Sequence, residues 1–313
     1  MEKRGMMHLT RRAGLLGLCT AFLPVNKPNA QGQAVRIGSK LDTEGALLGE
    51  MMAQILEAKG VQVQRRLQLG PTRIVRQALL NGEIDLYPEY TGNGAFFFQM
   101  EDDSAWHDAQ QALAKVRALD AERNGIVWLD PAAANNTWAI AIRADVARSA
   151  KLGSLADLPQ HLATGGAFKL AASAEFVESP AALPAFQKAY GFALQADRLL
   201  VLSGGDTAVT MRAAAEGLNN VNAAMVYGTD GAISALDLVV LDDPKGAQIV
   251  YQPAPVLRKN VLDRHPDMQS WLRPAFASLD LRTLQTLNAK IVVEGQAVGA
   301  VATAHLRQNG LSG

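Results

Sequence analysis

Residues Ile84–Phe98 read IDLYPEYTGNGAFFF, and the fold follows from how this stretch is read. It opens as a short apolar strand from Ile84 to Tyr87 and breaks at Pro88. Tyr90, Thr91 and Asn93 then fall on a turn marked by Gly92 and Gly94. A β-rich run halted by Pro and Gly presents polar and aromatic side chains at the strand's C-terminal end. In open α/β sheets ligands bind at that end. Tyr90 is therefore expected to form one wall of a small-molecule pocket. Tyr87 shares the buried run and reads as structural. Asp85 and Glu89 read as support or surface residues rather than catalytic acids.

Upstream, Val35-Arg36-Ile37-Gly38 reads as a strand. A helix capped by Asp42 or Thr43 follows, with apolar rows Leu47/Met51/Ile55 and Leu48/Met52/Leu56 at i, i+4 and Gly60 as its stop. The strand Val61–Val63 and a helix from Thr72 to Asn81 lead into the opening stretch. This βαβαβ order with short connections predicts an α/β sheet. Downstream, a helix over Ser104–Arg123 and a strand Ile126–Leu129 precede the Pro/Ala/Asn connection DPAAANN (130–136). The first crossing between lobes is placed there. A second lobe, residues 137–238, is expected to hold a helix capped by Ser154, strands at Phe168–Ala171, Leu199–Leu202 and Ala223–Tyr227, and helices near Leu183–Tyr190 and from Asp206. Residues 31–136 plus 239–313 then make a discontinuous first lobe, closed by helices Asp280–Lys290 and Ala297–Gln308.

The first thirty residues stand apart. Lys3, Arg4, Arg11 and Arg12 precede the apolar run Ala13–Val25, and Pro28-Asn29-Ala30 follows. This is the pattern of a secretory signal peptide (1–30) cut near Ala30, with an apolar run too short to span a membrane. Cleavage removes five Lys/Arg and one Glu, so a chain of formal charge 0 becomes four charges negative. It also removes the single cysteine, Cys19, and with it disulfides, thiol catalysis and thiolate-bound metal. Neither charge state carries the basic footprint of a nucleic-acid binder.

Catalytic signals are poor. The five histidines are scattered, no metal spacing recurs, and no nucleophile with its base stands out. Ser203-Gly204-Gly205-Asp206 reads as a Gly turn at a helix start rather than a phosphate loop. The aromatic residues are more informative. Among five tyrosines and four tryptophans, Tyr90, Trp138, Tyr227 and Tyr251 all lie at strand-to-loop junctions. Trp106, Trp128 and Trp271 lie inside apolar patterns and read as core. Rings that cap strands commonly do no more than cover the core edge. If these four converge, their faces suit a diffuse cation such as trimethylammonium, each contact contributing roughly 0.5–2 kcal/mol. Lys40 can pair with a carboxylate on such a ligand, and Asn93, Asn136 and Thr72 can donate hydrogen bonds.

The ordered series GSKLDTEGALLGEM, LGPTRIV, GEIDLYPEYTGNGAFFF, ANNTWAI, KLAASAEF, GGDTAV, AAMVYGTDG and YQPAPV resembles the periplasmic glycine betaine/choline-type osmoprotectant-binding proteins of ABC importers, most closely the OsmF/YehZ-like branch. The likeness runs from about Val35 to the C-terminus. It implies a two-lobed, type II periplasmic-binding-protein fold that closes over its ligand without chemistry, with no cofactor. It also implies an aromatic cage of Tyr90, Tyr227 and Tyr251 with Trp138 as fourth ring, and polar pocket positions at Lys40, Asn93 and Asn136. The expected partners are a glycine betaine-like quaternary ammonium ligand and an inner-membrane permease, and the expected state is a periplasmic monomer. Two positions depart from the family pattern: Gly45 stands where many relatives carry Gln, and Ser179 where they tend to carry a carboxylate-gripping Arg. A bilobal ligand sensor and, less well supported, an exported α/β enzyme are the alternative readings.

Overall fold

A computed structural model describes residues 34–202 and 207–311. The expected leader and the Gly turn 203–206 lie outside them. The described residues build two five-stranded sheets, each flanked by helices. The first contains β1 (Val35–Lys40), β2 (Val63–Gly70), β3 (Leu86–Tyr90), β4 (Ile126–Trp128) and β10 (Pro253–Arg258), in the order β2-β1-β3-β10-β4. The second contains β5 (Trp138–Arg143), β6 (Leu170–Ser173), β7 (Leu199–Leu202), β8 (Ala223–Tyr227) and β9 (Leu238–Val240), in the order β7-β6-β8-β5-β9.

The two sheets share one plan. Each has three parallel strands, followed by a return strand antiparallel to its neighbours on both sides: β10 in the first sheet and β5 in the second. Both faces of each sheet are covered. Ile37, Leu86 and Leu257 pack on the helix Thr43–Ala58, while Tyr87, Trp128 and Val256 pack with Trp106 and Val116 on the opposite side. In the second sheet Ile140, Leu170 and Met225 face one core, and Ala141, Ala171 and Val226 the other. Trp106 and Trp128 are fully buried and Trp271 partly so, as their apolar settings predict.

The element starts follow local chemistry. Asp42 accepts from the Gly45 N–H at 2.6 Å and Asp280 from the Thr283 N–H at 2.7 Å, each capping its helix as expected. Other expectations change. β3 does not stop at Pro88 but runs through it to Tyr90. The Thr91 N–H donates to Gln252 O and the Arg258 N–H to Asp85 O, so alternate pairs of the β3–β10 ladder are hydrogen-bonded. Pro88 opposite Pro255, and Pro253 opposite Tyr90, fall on the intervening pairs, so none of them removes a bond from this ladder; toward the other side Pro255 and Pro253 still accept, from the Leu129 and Ala132 N–H groups. Ser154 starts no helix; it bridges to Asp242.

The chain also stays in the second lobe beyond residue 238. Val239 and Val240 pair with β5, and Leu241 is 2% exposed in that lobe's core. The return begins near Ile249, which belongs to the first lobe's core. The outgoing and returning crossings run side by side. The Asn136 N–H donates to Tyr251 O at 2.9 Å, the Tyr251 N–H to Asn135 Oδ1 at 2.7 Å, and the Thr137 hydroxyl to Ile249 O at 2.8 Å.

Candidate ligand-binding cleft

A cleft of about 820 Å³ opens where the C-terminal ends of β1, β3 and β8 meet the two crossings. All eight residues singled out in the sequence line it: Lys40, Thr72, Tyr90, Asn93, Asn136, Trp138, Tyr227 and Tyr251. The shared sheet plan explains the convergence of the rings. Tyr90 ends β3 and Tyr227 ends β8, the equivalent strands of the two sheets. Tyr251 precedes the return strand β10, and Trp138 begins the return strand β5. Tyr90 and Tyr251 therefore come from the first lobe's side, and Trp138 and Tyr227 from the second's.

Trp138 stands opposite Tyr227 in the β5–β8 register, and the two rings stack at 6.5 Å between centroids with 22° between planes. Phe176 supports Trp138 edge-on at 5.9 Å. Tyr227 is 37% exposed whereas Tyr90 is 5% exposed, so one ring forms the rim and the other the floor. Burial raises the hydroxyl pKa of Tyr251, and of Tyr90 too, where Glu44 adds to it; both rings stay neutral donors at physiological pH.

The polar residues are more occupied than their sequence positions suggested. Lys40 is buried, ion-paired with Glu89, and its Nζ lies 4.4 Å from the Tyr90 ring centroid. Asn93 Nδ2 donates to the same Glu89 at 2.7 Å, as does the Tyr90 N–H, and the Tyr87 hydroxyl donates to its other oxygen at 2.8 Å. Glu89 and Asp85 are thus buried supports, not surface residues, and Tyr87 is structural as expected. Lys40 is a charge already answered from within the chain.

The residue that sequence reasoning missed is Glu44. It is 5% exposed, lines the cleft, and accepts from the Tyr90 hydroxyl at 2.7 Å, Asn136 Nδ2 at 3.3 Å and Asn288 Nδ2 at 2.7 Å. Burial raises its pKa; donors on Thr229, Tyr90 and Asn288 offset that only in part, and the Asp42 charge adds to the rise. Three buried side-chain atoms in this region lack a hydrogen-bond partner: Asn136 Oδ1, Asn288 Oδ1 and Trp138 Nε1, the last close enough to perturb the Tyr227 hydroxyl without closing a bond. Asn288 had a legible signal. It lies four residues after Leu284, on the buried stripe of its helix, where a polar residue needs a reason.

Ser179 ends the short helix Ala174–Glu178 and is not among the cleft-lining residues. Lys40 is the only cationic side chain among the described cleft-lining residues, which also include Asp42, Glu44, Glu175 and Asp230. No group of three His, Cys, Asp or Glu among the described residues is placed to hold a metal ion.

A family profile described as the substrate binding domain of the ABC-type glycine betaine transport system matches residues 33–308. The chain is 58% identical over 294 residues to the glycine betaine-binding protein YehZ of Escherichia coli K12, covering 94% of this chain and 96% of that one. It is 33% identical over 288 residues to a glycine-betaine-binding protein of Pseudomonas aeruginosa, covering 90% of each. The solved structure of apo YehZ from Escherichia coli superimposes with a TM-score of 0.84, covering 90% of this chain and 100% of that one.

Proposed function

Because this chain belongs to the family of substrate-binding domains of ABC-type glycine betaine transport systems, we propose that its cleft captures glycine betaine or a related quaternary ammonium solute in a cage of Tyr90, Trp138, Tyr227 and Tyr251. It is a binding protein with the type II periplasmic-binding-protein fold, not an enzyme. The observation that carries the ligand reading is the lining of one cleft by four rings drawn from both sheets. Ring faces attract a cation that cannot donate a hydrogen bond, at roughly 0.5–2 kcal/mol each when desolvated. Asn93, Asn136 and Thr72 are the proposed polar contacts, with Lys40 acting through its pair with Glu89.

The lobes are taken as residues 34–136 plus 249–313 and residues 137–248, closing as a hinge about the paired crossings. Tyr227 on the rim is the ring that closure covers. Export, with cleavage near Ala30, delivery to an inner-membrane permease and a monomeric state complete the proposal.

Calorimetric titration of the mature protein with glycine betaine and with choline tests it. Saturable binding is expected, and Tyr90→Ala and Tyr227→Ala should each weaken it by roughly tenfold. Absence of binding to either solute overturns the ligand assignment, and unchanged affinity in both variants removes the cage.

A further inference from the structure

Building on the cage reading, we propose that Glu44 is the counter-charge of the bound cation, and that capture of a quaternary ammonium group is coupled to ionisation of Glu44 and release of its proton to solvent. Four observations lead there. Glu44 is buried in the cleft wall, 2.7 Å from the hydroxyl of Tyr90, a ring of the cage. The one cationic side chain among the described cleft-lining residues, Lys40, is ion-paired with Glu89, so Glu44 has no charge partner there.

The remaining two observations concern the proton. Buried acceptors Asn136 Oδ1 and Asn288 Oδ1 lack partners, and both belong to amides that contact Glu44. The Asn136 contact, at 3.3 Å, is long for a bond to a carboxylate. Turned over, that amide presents its orphan oxygen to a protonated Glu44, which is the place the ligand-free cleft provides for the proton.

The groups facing Glu44 are Tyr90 from β3, Asn136 from the first crossing, Thr229 from the turn after β8, Asn288 from the helix Leu281–Val292, and Asp42 at the cap of its own helix. The only charged one is Asp42, which opposes ionisation, as burial does. In the ligand-free chain a buried acid of this kind confers stability that is lost as pH rises through its raised pKa. A permanent cation beside it favours the carboxylate, so binding strengthens as pH rises and weakens in acid. The exchange needs only the Asn136 amide to turn, from presenting its oxygen to the acid to donating its Nδ2 to the carboxylate: one proton leaves as one fixed positive charge arrives.

Titration with glycine betaine, whose ammonium carries no proton, tests the coupling. Calorimetry in buffers of differing ionisation enthalpy, run over a series of pH values, should show proton release on ligand binding. The dissociation constant should fall about tenfold between roughly pH 5 and pH 8.5. Glu44→Gln should bind more weakly, release no proton and lose the pH dependence. A wild-type protein that binds with no proton release overturns the proposal whatever the variant does, and so does a Glu44→Gln protein that retains the wild-type proton release. Absence of any glycine betaine binding overturns the cage reading itself, so the two failures are distinct.

Discussion

At the scale of single residues, Tyr90 does two jobs that one substitution separates. Its ring faces the cleft and its hydroxyl donates to Glu44. Tyr90→Phe keeps the ring and removes the hydroxyl, leaving the buried Glu44 carboxyl group one hydrogen bond short, at a cost of about 1–3 kcal/mol. The expected outcome is a melting temperature lower by several degrees, with glycine betaine affinity falling far less than in Tyr90→Ala; thermal unfolding and calorimetry check the two halves. The rings were legible in the sequence because each stands near a Gly, Pro or Asn at a strand boundary, although Tyr251, expected to end a strand Ile249–Tyr251, lies instead in the crossing before β10. Glu44 was not, because an acid in the first turn of a capped helix is what the helix dipole favours on any surface. Its burial comes from Asn288 and Thr229, more than 180 residues downstream, which no local pattern links to it.

At the scale of elements, the helices Thr72–Leu80 and Ala109–Asn124 are joined on the outer face of the first sheet by a buried pair, Arg76 and Asp120. Trp128 Nε1 of β4 donates to the same carboxylate at 2.6 Å, so one ionic cluster ties two helices to an edge strand. Arg76→Ala should destabilise the protein by about 3–5 kcal/mol, because it leaves Asp120 buried and uncompensated. Denaturant unfolding measures this, and Arg76→Ala combined with Asp120→Asn should recover part of the loss. Most helices here were legible from their caps and apolar periods. The helix Leu183–Tyr190 and the strands Leu199–Leu202 and Ala223–Tyr227 match their expected limits. β10 was hidden by its own composition: Pro253 and Pro255 count against a strand, and only the register with Pro88 shows why they are tolerated. The same register extends β3 to Tyr90, and thereby fixes that ring at the sheet's end.

At the scale of the whole molecule, the two sheets repeat one plan without a detectable repeat in the sequence, because a buried strand can be written in many apolar alphabets. What the plan gives the cleft is an equivalent pair of ring positions from each side, one at a strand's end and one at a return strand's start. The proposed hinge closure would bring the pairs together, so glycine betaine should lower the radius of gyration in solution scattering and change Trp138 fluorescence with the same midpoint; a ligand-saturated protein with unaltered scattering would rule the closure out. The paired crossings carry a practical corollary for engineering. The second lobe leaves and rejoins the first at points held 2.9 Å apart, Asn136 N to Tyr251 O. It is therefore a cassette with adjacent ends: a reporter domain whose own termini lie close together can be spliced in at that seam, converting lobe motion into an optical signal without stretching either crossing.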